Sequence, residues 1–385
     1  MLKSETNFQW QRLLFGLFTV MLLNTVNAKS IQTEVTQPRQ IEVVIALDVS
    51  SSMDGLIESA KQRLWDIVNV LGSAQPQPQL RMAILSYGNP EYGSETGFVR
   101  IDQPFTSDLD AINKTLFEFS TYGGEEYVAR VVNTAMNQLT WSNEPNVLRV
   151  LFVAGNEGAH QDPQIPLHLV TAEAARRGII VNTIYCGSES DVHASGWRQA
   201  AVSTNGLFAS INQNAAAVAN ISTPMDEKFA ALNKELNDTY VAFGISGDSS
   251  RQNQIDQDNN VENMSAPAMA SRAVAKASHL YRNESWDLID AVKSGKSLEE
   301  VAYEDLPEEM QEMGSEERAN YIRLKTKKRE EIQGQIQTLA DERRDYIQKE
   351  RAKLAGSDEK GLDEVIQEGL RALAEEQGFT FVTSE

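Results

Sequence analysis

The chain has 385 residues, 41% of them hydrophobic, which is enough for at least one packed core and too much for wholesale disorder or a collagen-like chain. Acidic residues outnumber basic ones by 55 to 35, and the formal charge of -20 disfavours nucleic acid and anionic lipid as partners, because both reward clustered Lys and Arg. The single cysteine, Cys186, excludes an intrachain disulfide scaffold and any multi-cysteine zinc site.

Lys3 and Arg12 flank the start of an apolar run at 13–23, and Val26-Asn27-Ala28 is a small-residue exit. That is the pattern of an export signal removed near Ala28. The run has 11 residues, well short of the ~20 that a spanning helix needs. Residues 1–28 are therefore read as a signal peptide. The mature chain, with no later segment apolar enough to span a membrane, is expected to be secreted or periplasmic.

From 41 onward, apolar runs of strand length alternate with amphipathic stretches of helix length. This predicts an α/β fold, a doubly wound and mainly parallel sheet covered on both faces. Residues 41–47 are a nearly continuous β-branched run suited to a central strand, and Leu56, Ala60, Leu64, Ile67 and Leu71 mark one face of the helix after it. A strand over 80–87 ends at Gly88-Asn89-Pro90, and 98–101 reads as a short edge strand. Ser107-Asp108-Leu109-Asp110 opens a helix with a good N-cap and an acidic first turn. Residues 147–154 and 179–185 read as buried strands with a helix over 166–177 between them, and 207–211 as a weaker last strand. Thr223-Pro224 then opens a helix through Asn237 with Phe229, Leu232 and Leu236 as its stripe. Together, 40–237 are expected to form one domain.

Residues 248–265 hold Gln, Asn, Asp and Ser with few apolar side chains, and read as a polar loop or linker. Residues 266–385 read as a helical region. It contains helices over 268–281 and 286–293, a capping-box pattern at Ser297 and Glu300, and a long charged helix over 315–354. In that helix Tyr321, Leu324, Ile332, Ile336, Leu339 and Tyr346 form a narrow stripe, suited to a helical hairpin or coiled coil, or to a solvated helix packed on its own domain. The mixed charges at 325–331 and 341–351 favour ion pairs within the helix. A helix over 362–376 and a short strand over 379–382 follow.

Chemistry concentrates at Asp48-Val49-Ser50-Ser51-Ser52, between the strand at 41–47 and the helix that follows Met53-Asp54-Gly55. A carboxylate and two hydroxyls at i, i+2 and i+4 on a strand-to-helix turn converge at the carboxyl end of the sheet, where ligands of open parallel sheets bind. Hard divalent cations accept such oxygens; Mg2+ takes six at about 2.1 Å and keeps several waters.

These residues resemble the von Willebrand factor type A (VWA) domain family, and the resemblance covers about 40–237. It implies a Rossmann-like sandwich with a metal-ion-dependent adhesion site (MIDAS). There Asp48, Ser50 and Ser52 hold a divalent cation, expected to be Mg2+ with Mn2+ or Ca2+ as alternatives, and an acidic residue of a protein partner completes the shell. The overall look is of secreted bacterial members with a helical C-terminal extension. Two positions depart from the family pattern. Gly123-Gly124 is followed by Glu125 and Glu126 where the family has a threonine, and Phe152-Val153-Ala154-Gly155 leads to Asn156 where it has an aspartate. Glu125, with Thr121 as a neighbouring hydroxyl, and Asn156 are the expected replacement ligands.

Other chemistry finds little support. Cys186 and His193 lack the orienting third group that a thiol nucleophile and its base need. His160, His168 and His279 do not have zinc-helix spacing, and neither Gly-x-Ser-x-Gly nor a phosphate-binding glycine loop occurs. Trp197 reads as a packing residue of the helix before the last strand, with a contact anchor after a polar loop as the alternative. The expectation is a non-enzymatic protein that binds an acidic protein partner through a divalent cation. The alternative is a metal-independent structural or assembly protein that acts, or self-associates, through its charged C-terminal helices.

Overall fold

The computed structural model describes residues 39–211, 221–354 and 362–381. The export pattern at 1–28 and residue 382 of the expected last strand lie outside the described residues. In chain order the first half comprises β1 (Gln40–Asp48), α1 (Asp54–Gly72), β2 (Ala74–Gln75), β3 (Gln79–Tyr87), β4 (Val99–Thr106), α2 (Leu109–Phe117), α3 (Val128–Gln138), β5 (Val147–Gly155), α4 (Leu167–Arg176), β6 (Ile179–Tyr185), α5 (Ala194–Val202) and β7 (Phe208–Ser210). There follow α6 (Asp226–Asn237), α7 (Gly247–Met264), α8 (Ala266–Lys276), α9 (Leu288–Lys293), α10 (Glu308–Gln311), α11 (Ser315–Leu354), α12 (Leu362–Glu376) and β8 (Thr380–Phe381).

The main sheet has the order β4-β3-β1-β5-β6-β7. Every pairing in it is parallel except that of edge strand β4 with β3. Strand β1 is central because its residues beyond Gln40 are apolar enough to be buried on both faces. Its alternating side chains part to two sides: Ile41, Val43, Ile45 and Leu47 join a core with α1 and α2, while Val44 and Ala46 join one with α3, α4 and α5. The chain thus has the predicted doubly wound, mainly parallel sheet with a helical C-terminal region.

One expected element is overturned. Residues 248–265 are not a polar loop or linker but α7, an 18-residue helix. Composition misleads here because the inner face itself is polar: Gln254, Gln257 and Asp258 are buried and paired rather than solvated. Arg272 donates to Asp258 (2.5 Å) and Asp110 (2.8 Å), Lys276 Nζ reaches Asp258 (2.9 Å), and Asn113 donates to Gln257 (2.9 Å). This network ties α7 to α2 and α8, and Asn233 of α6 joins it through Asp258 at 2.7 Å. A buried charge is tolerated only when paired in this way.

The C-terminal helices add a layer to the same core. Ile332, Ile336 and Leu339 of α11 and Ile366, Leu370 and Leu373 of α12 belong to one apolar cluster with Leu64 and Trp65 of α1. Helix α11 spans 40 residues, about 60 Å at 1.5 Å per residue. Its buried stripe differs from the expected one. Ile322 packs in a satellite cluster with Val241, Phe243 and Leu288, whereas Leu324 is exposed. Between Ile322 and Ile332 the stripe admits a buried Arg329, which donates to Asp287 (2.6 Å), Asp290 (3.0 Å) and Thr239 (3.0 Å). Strand β8 returns to pair antiparallel with β2. The capping-box segment at Ser297 forms only a three-residue 3-10 turn without a side-chain cap. Among the described residues, no helix is long and apolar enough to cross a membrane.

Candidate metal centre

Strands β3 and β5 flank β1 on opposite sides, so the carboxyl end of β1 is a topological switch point where the loops diverge and leave a crevice. Two backbone bonds fix the turn there: Val49 N–H donates to Tyr87 O at 2.8 Å, and Met53 N–H to Ser50 O at 3.0 Å. Asp48 Oδ1 accepts from Ser50 N–H at 2.7 Å, which aims the second carboxylate oxygen inward. The hydroxyls of Ser50 and Ser52 lie 3.2 Å apart, and Asn156, just past β5, donates its amide to Ser52 Oγ at 2.9 Å. Four of the five expected ligands, Asp48, Ser50, Ser52 and Asn156, are thus brought together.

Glu125 is not brought in. It is exposed and accepts from the Tyr127 hydroxyl at 3.4 Å. Thr121 is also engaged elsewhere, donating to Asp54 at 2.5 Å. The carboxylate that enters the cluster is Glu126, 7% exposed, beside Asp48 at 0% and Ser50 at 3%. Backbone packing selects between the two neighbours. A Cβ on Gly124 would collide with the Gly88 carbonyl, so the two loops meet backbone to backbone. Gly88, at φ +86°, leaves the space in which the carboxylates of Asp48 and Glu126 approach.

Three oxygens of this cluster, Asp48 Oδ2, Glu126 Oε2 and Asn156 Oδ1, are buried without a hydrogen-bond donor. Buried polar atoms are rarely left so, and each exception asks for an explanation. Burial raises the Asp48 carboxyl above its ordinary value, and burial together with the neighbouring Asp48 charge pushes Glu126 up to about 9. Two carboxylates this close cannot both ionise freely without a cation or a proton between them. The residues therefore fit a hard divalent ion: three donorless oxygens and two hydroxyls, none of them sulfur or imidazole. Among the described residues there is no cluster of three or more His, Cys, Asp or Glu, so any such ion depends on the hydroxyl and amide oxygens as well.

The cluster grades from buried Asp48 and Glu126 to exposed Ser51 and Ser52, so its outer side faces solvent. Tyr122, 45% exposed, stands on the same rim, its N–H donating to Val49 O at 2.9 Å. Cys186, in contrast, is buried at the end of β6, and burial pushes its thiol well up, away from the reactive thiolate. Trp197 is fully buried, its indole N–H donating to Glu157 O at 2.7 Å beneath the Asn156 loop.

Residues 42–224 match the sequence profile of the von Willebrand factor type A domain. Similar solved structures include proximal thread matrix protein 1 from the mussel byssus with a zinc-occupied MIDAS motif, at 12% identity and a TM-score of 0.38, covering 46% of this chain and 43% of that one. BatB of Bacteroides thetaiotaomicron, a conserved hypothetical protein, aligns at 19% identity and TM-score 0.34 over 44% of this chain and 90% of its own. A von Willebrand factor type A protein from Catenulispora acidiphila aligns at 16% identity and TM-score 0.34, over 46% and 39% respectively. The match thus spans less than half the length of the mussel and Catenulispora proteins. No curated protein matches the sequence.

Proposed function

We propose, from the match of residues 42–224 to the von Willebrand factor type A domain profile and the site at its sheet end, that this protein is a non-enzymatic binding module that captures a protein partner through a divalent cation at the end of β1. The observation that carries this reading is the trio of donorless oxygens on Asp48, Glu126 and Asn156 beside the paired hydroxyls of Ser50 and Ser52. Asp48, Ser50, Ser52, Glu126 and Asn156 would hold the ion. When bound, the ion supplies a positive centre, reachable from the Ser52 side, for an acidic side chain of the partner.

The residues around the cluster serve that capture. Tyr122 offers apolar surface on the rim, and Gly88 and the Val49–Tyr87 backbone bond hold the carboxylates in place before a partner arrives. A chain carrying a charge of -20 repels acidic surfaces in general, so a local positive centre would confine acidic partners to this one place. Lys3, Arg12, the apolar run 13–23 and Val26-Asn27-Ala28 support an exported, extracytoplasmic protein. Mg2+ is the proposed ion, with Mn2+ and Ca2+ as the other oxygen-preferring candidates.

The test is capture of partners from an extracytoplasmic extract by the immobilised chain, with and without chelator, and by Asp48→Ala. Capture that chelator and Asp48→Ala both abolish supports the reading. Capture indifferent to both would sink it and favour the rival, a metal-independent structural or assembly protein that acts through its charged C-terminal helices.

A further inference from the structure

We infer that Glu126 is an own-chain anionic ligand of the cation site, and that the negative charge it brings beside Asp48, rather than any partner's, fixes how tightly the ion is held. This rests on the metal reading given above and adds to it the residue that sets affinity.

The argument is geometric. Glu126 lies two residues ahead of α3, whose Val128, Ala129, Val131 and Val132 are locked in the core, so its position is determined by a packed helix. Gly124 on its other side is seated against Gly88. Between these anchors the side chain has one way in: a Cβ on Gly88 would lie 3.1 Å from Glu126 Cγ and 2.8 Å from Asp48 Oδ1, so the two acids share the space that Gly88 leaves. Glu126 Oε2 and Asp48 Oδ2 are both buried and donorless. Placing two like charges side by side is costly unless something positive lies between them. A folding role would pair Glu126 with Arg or Lys, as Arg130 pairs with Asp162 at 2.9 Å nearby; among the described residues Glu126 has no such partner and faces Asp48, Ser50 and Glu157.

Asn156 lies on the far side of the hydroxyl pair, bonded to Ser52, with its Oδ1 also donorless. It is a neutral oxygen at a place where an aspartate of the same shape would fit. The site can therefore be tested by moving its second charge across the hydroxyls.

The experiment titrates the full chain with Mg2+ and with Mn2+ by calorimetry, and records the melting temperature with and without ion. The variants are Glu126→Gln, Glu125→Gln and the double Glu126→Gln/Asn156→Asp. Glu126→Gln is expected to weaken binding at least tenfold while raising the ion-free melting temperature, since it removes the cost of burying an acid against Asp48; a merely structural Glu would lower it. Glu125→Gln is expected to change affinity less than twofold, and the double variant to recover to within about threefold of the parent. Binding by Glu126→Gln within twofold of the parent, or an equal loss in Glu125→Gln, would overturn the inference. So would failure of the relocated charge to restore affinity. A parent chain that binds neither ion would instead overturn the metal reading itself.

Discussion

The Cβ that Gly88 lacks would lie 2.8 Å from Asp48 Oδ1, so the residue just after β3 and the residue ending β1 can coexist only because one is a glycine. Its φ of +86° adds a second reason, because L side chains rarely adopt that backbone. Gly88→Ala is expected to destabilise the fold by about 1–3 kcal/mol. It should also weaken ion binding more than its effect on stability explains, because the methyl group displaces both acids. Chemical denaturation and ion titration of the same variant check the two effects separately.

The serines make a graded series. Ser50 is buried against Asp48 and shares its hydroxyl contact with Ser52, whereas Ser51 is exposed and turned toward Gly123. Asp48→Ala and Ser50→Ala are each expected to lower ion affinity by roughly tenfold or more, the loss of one oxygen worth about 1.4 kcal/mol or above. Ser51→Ala is expected to bind as the parent does. Calorimetric titration of the three variants gives the ranking.

Arg272 is fully buried, stacked 4.6 Å over the Trp65 ring and bonded to Asp110 and Asp258. Removing it takes from buried Asp110 its cation and leaves buried Asp258 to Lys276 alone. Arg272→Met is expected to cost about 3–5 kcal/mol of stability, the penalty for breaking a buried ion pair from one side. Because the variant lies on the C-terminal helices, urea denaturation monitored on the sheet also reports whether these helices unfold with it.

The same network predicts an acid dependence. Burial alone would raise the Asp258 carboxyl, but Lys276, Arg272 and a bond from Asn237 outweigh it and hold the group well below its ordinary 3.8. Lys276 itself is pushed down to about 8 by burial against the pull of Asp258, so at neutral pH it stays charged with little margin, and Arg272 is the firmer of the two cations. A carboxyl with a lowered folded value contributes stability that is fully present above pH 3.8 and lost as pH falls toward that lower value. Asp258→Asn is expected to be less stable than the parent at pH 7 and to show a shallower decline as pH falls below 3.8. Denaturation free energies at several pH values check both slopes.

How much of this was legible in the sequence depends on what each feature rests on. The run at 41–47 predicts a central strand because burial on both faces leaves an unbroken apolar record, and Asp48, Ser50 and Ser52 follow from their position at its end. Helix α3 carries Val128, Val131, Val132, Ala135 and Met136 at helical spacing, yet no start signal marks it, since Tyr127 caps nothing with its side chain. Helix α7 hides for the opposite reason: its buried face is mostly polar, with Gln254, Gln257 and Asp258 beside Val261, and partners of Gln257 and Asp258 lie on other helices, α2, α6 and α8. The choice of Glu126 over Glu125 is likewise tertiary. It turns on Gly124 resting on Gly88, a contact between loops 36 residues apart, and nothing in Gly-Gly-Glu-Glu records it.

The central claim is that the end of β1 holds a divalent cation, and titration of the ion-free full chain with Mg2+, Mn2+ and Ca2+ tests it most directly. The account predicts saturable one-site heat and a raised melting temperature with at least one of the three, both lost in Asp48→Ala. Absence of heat and of any melting shift with all three ions would contradict it.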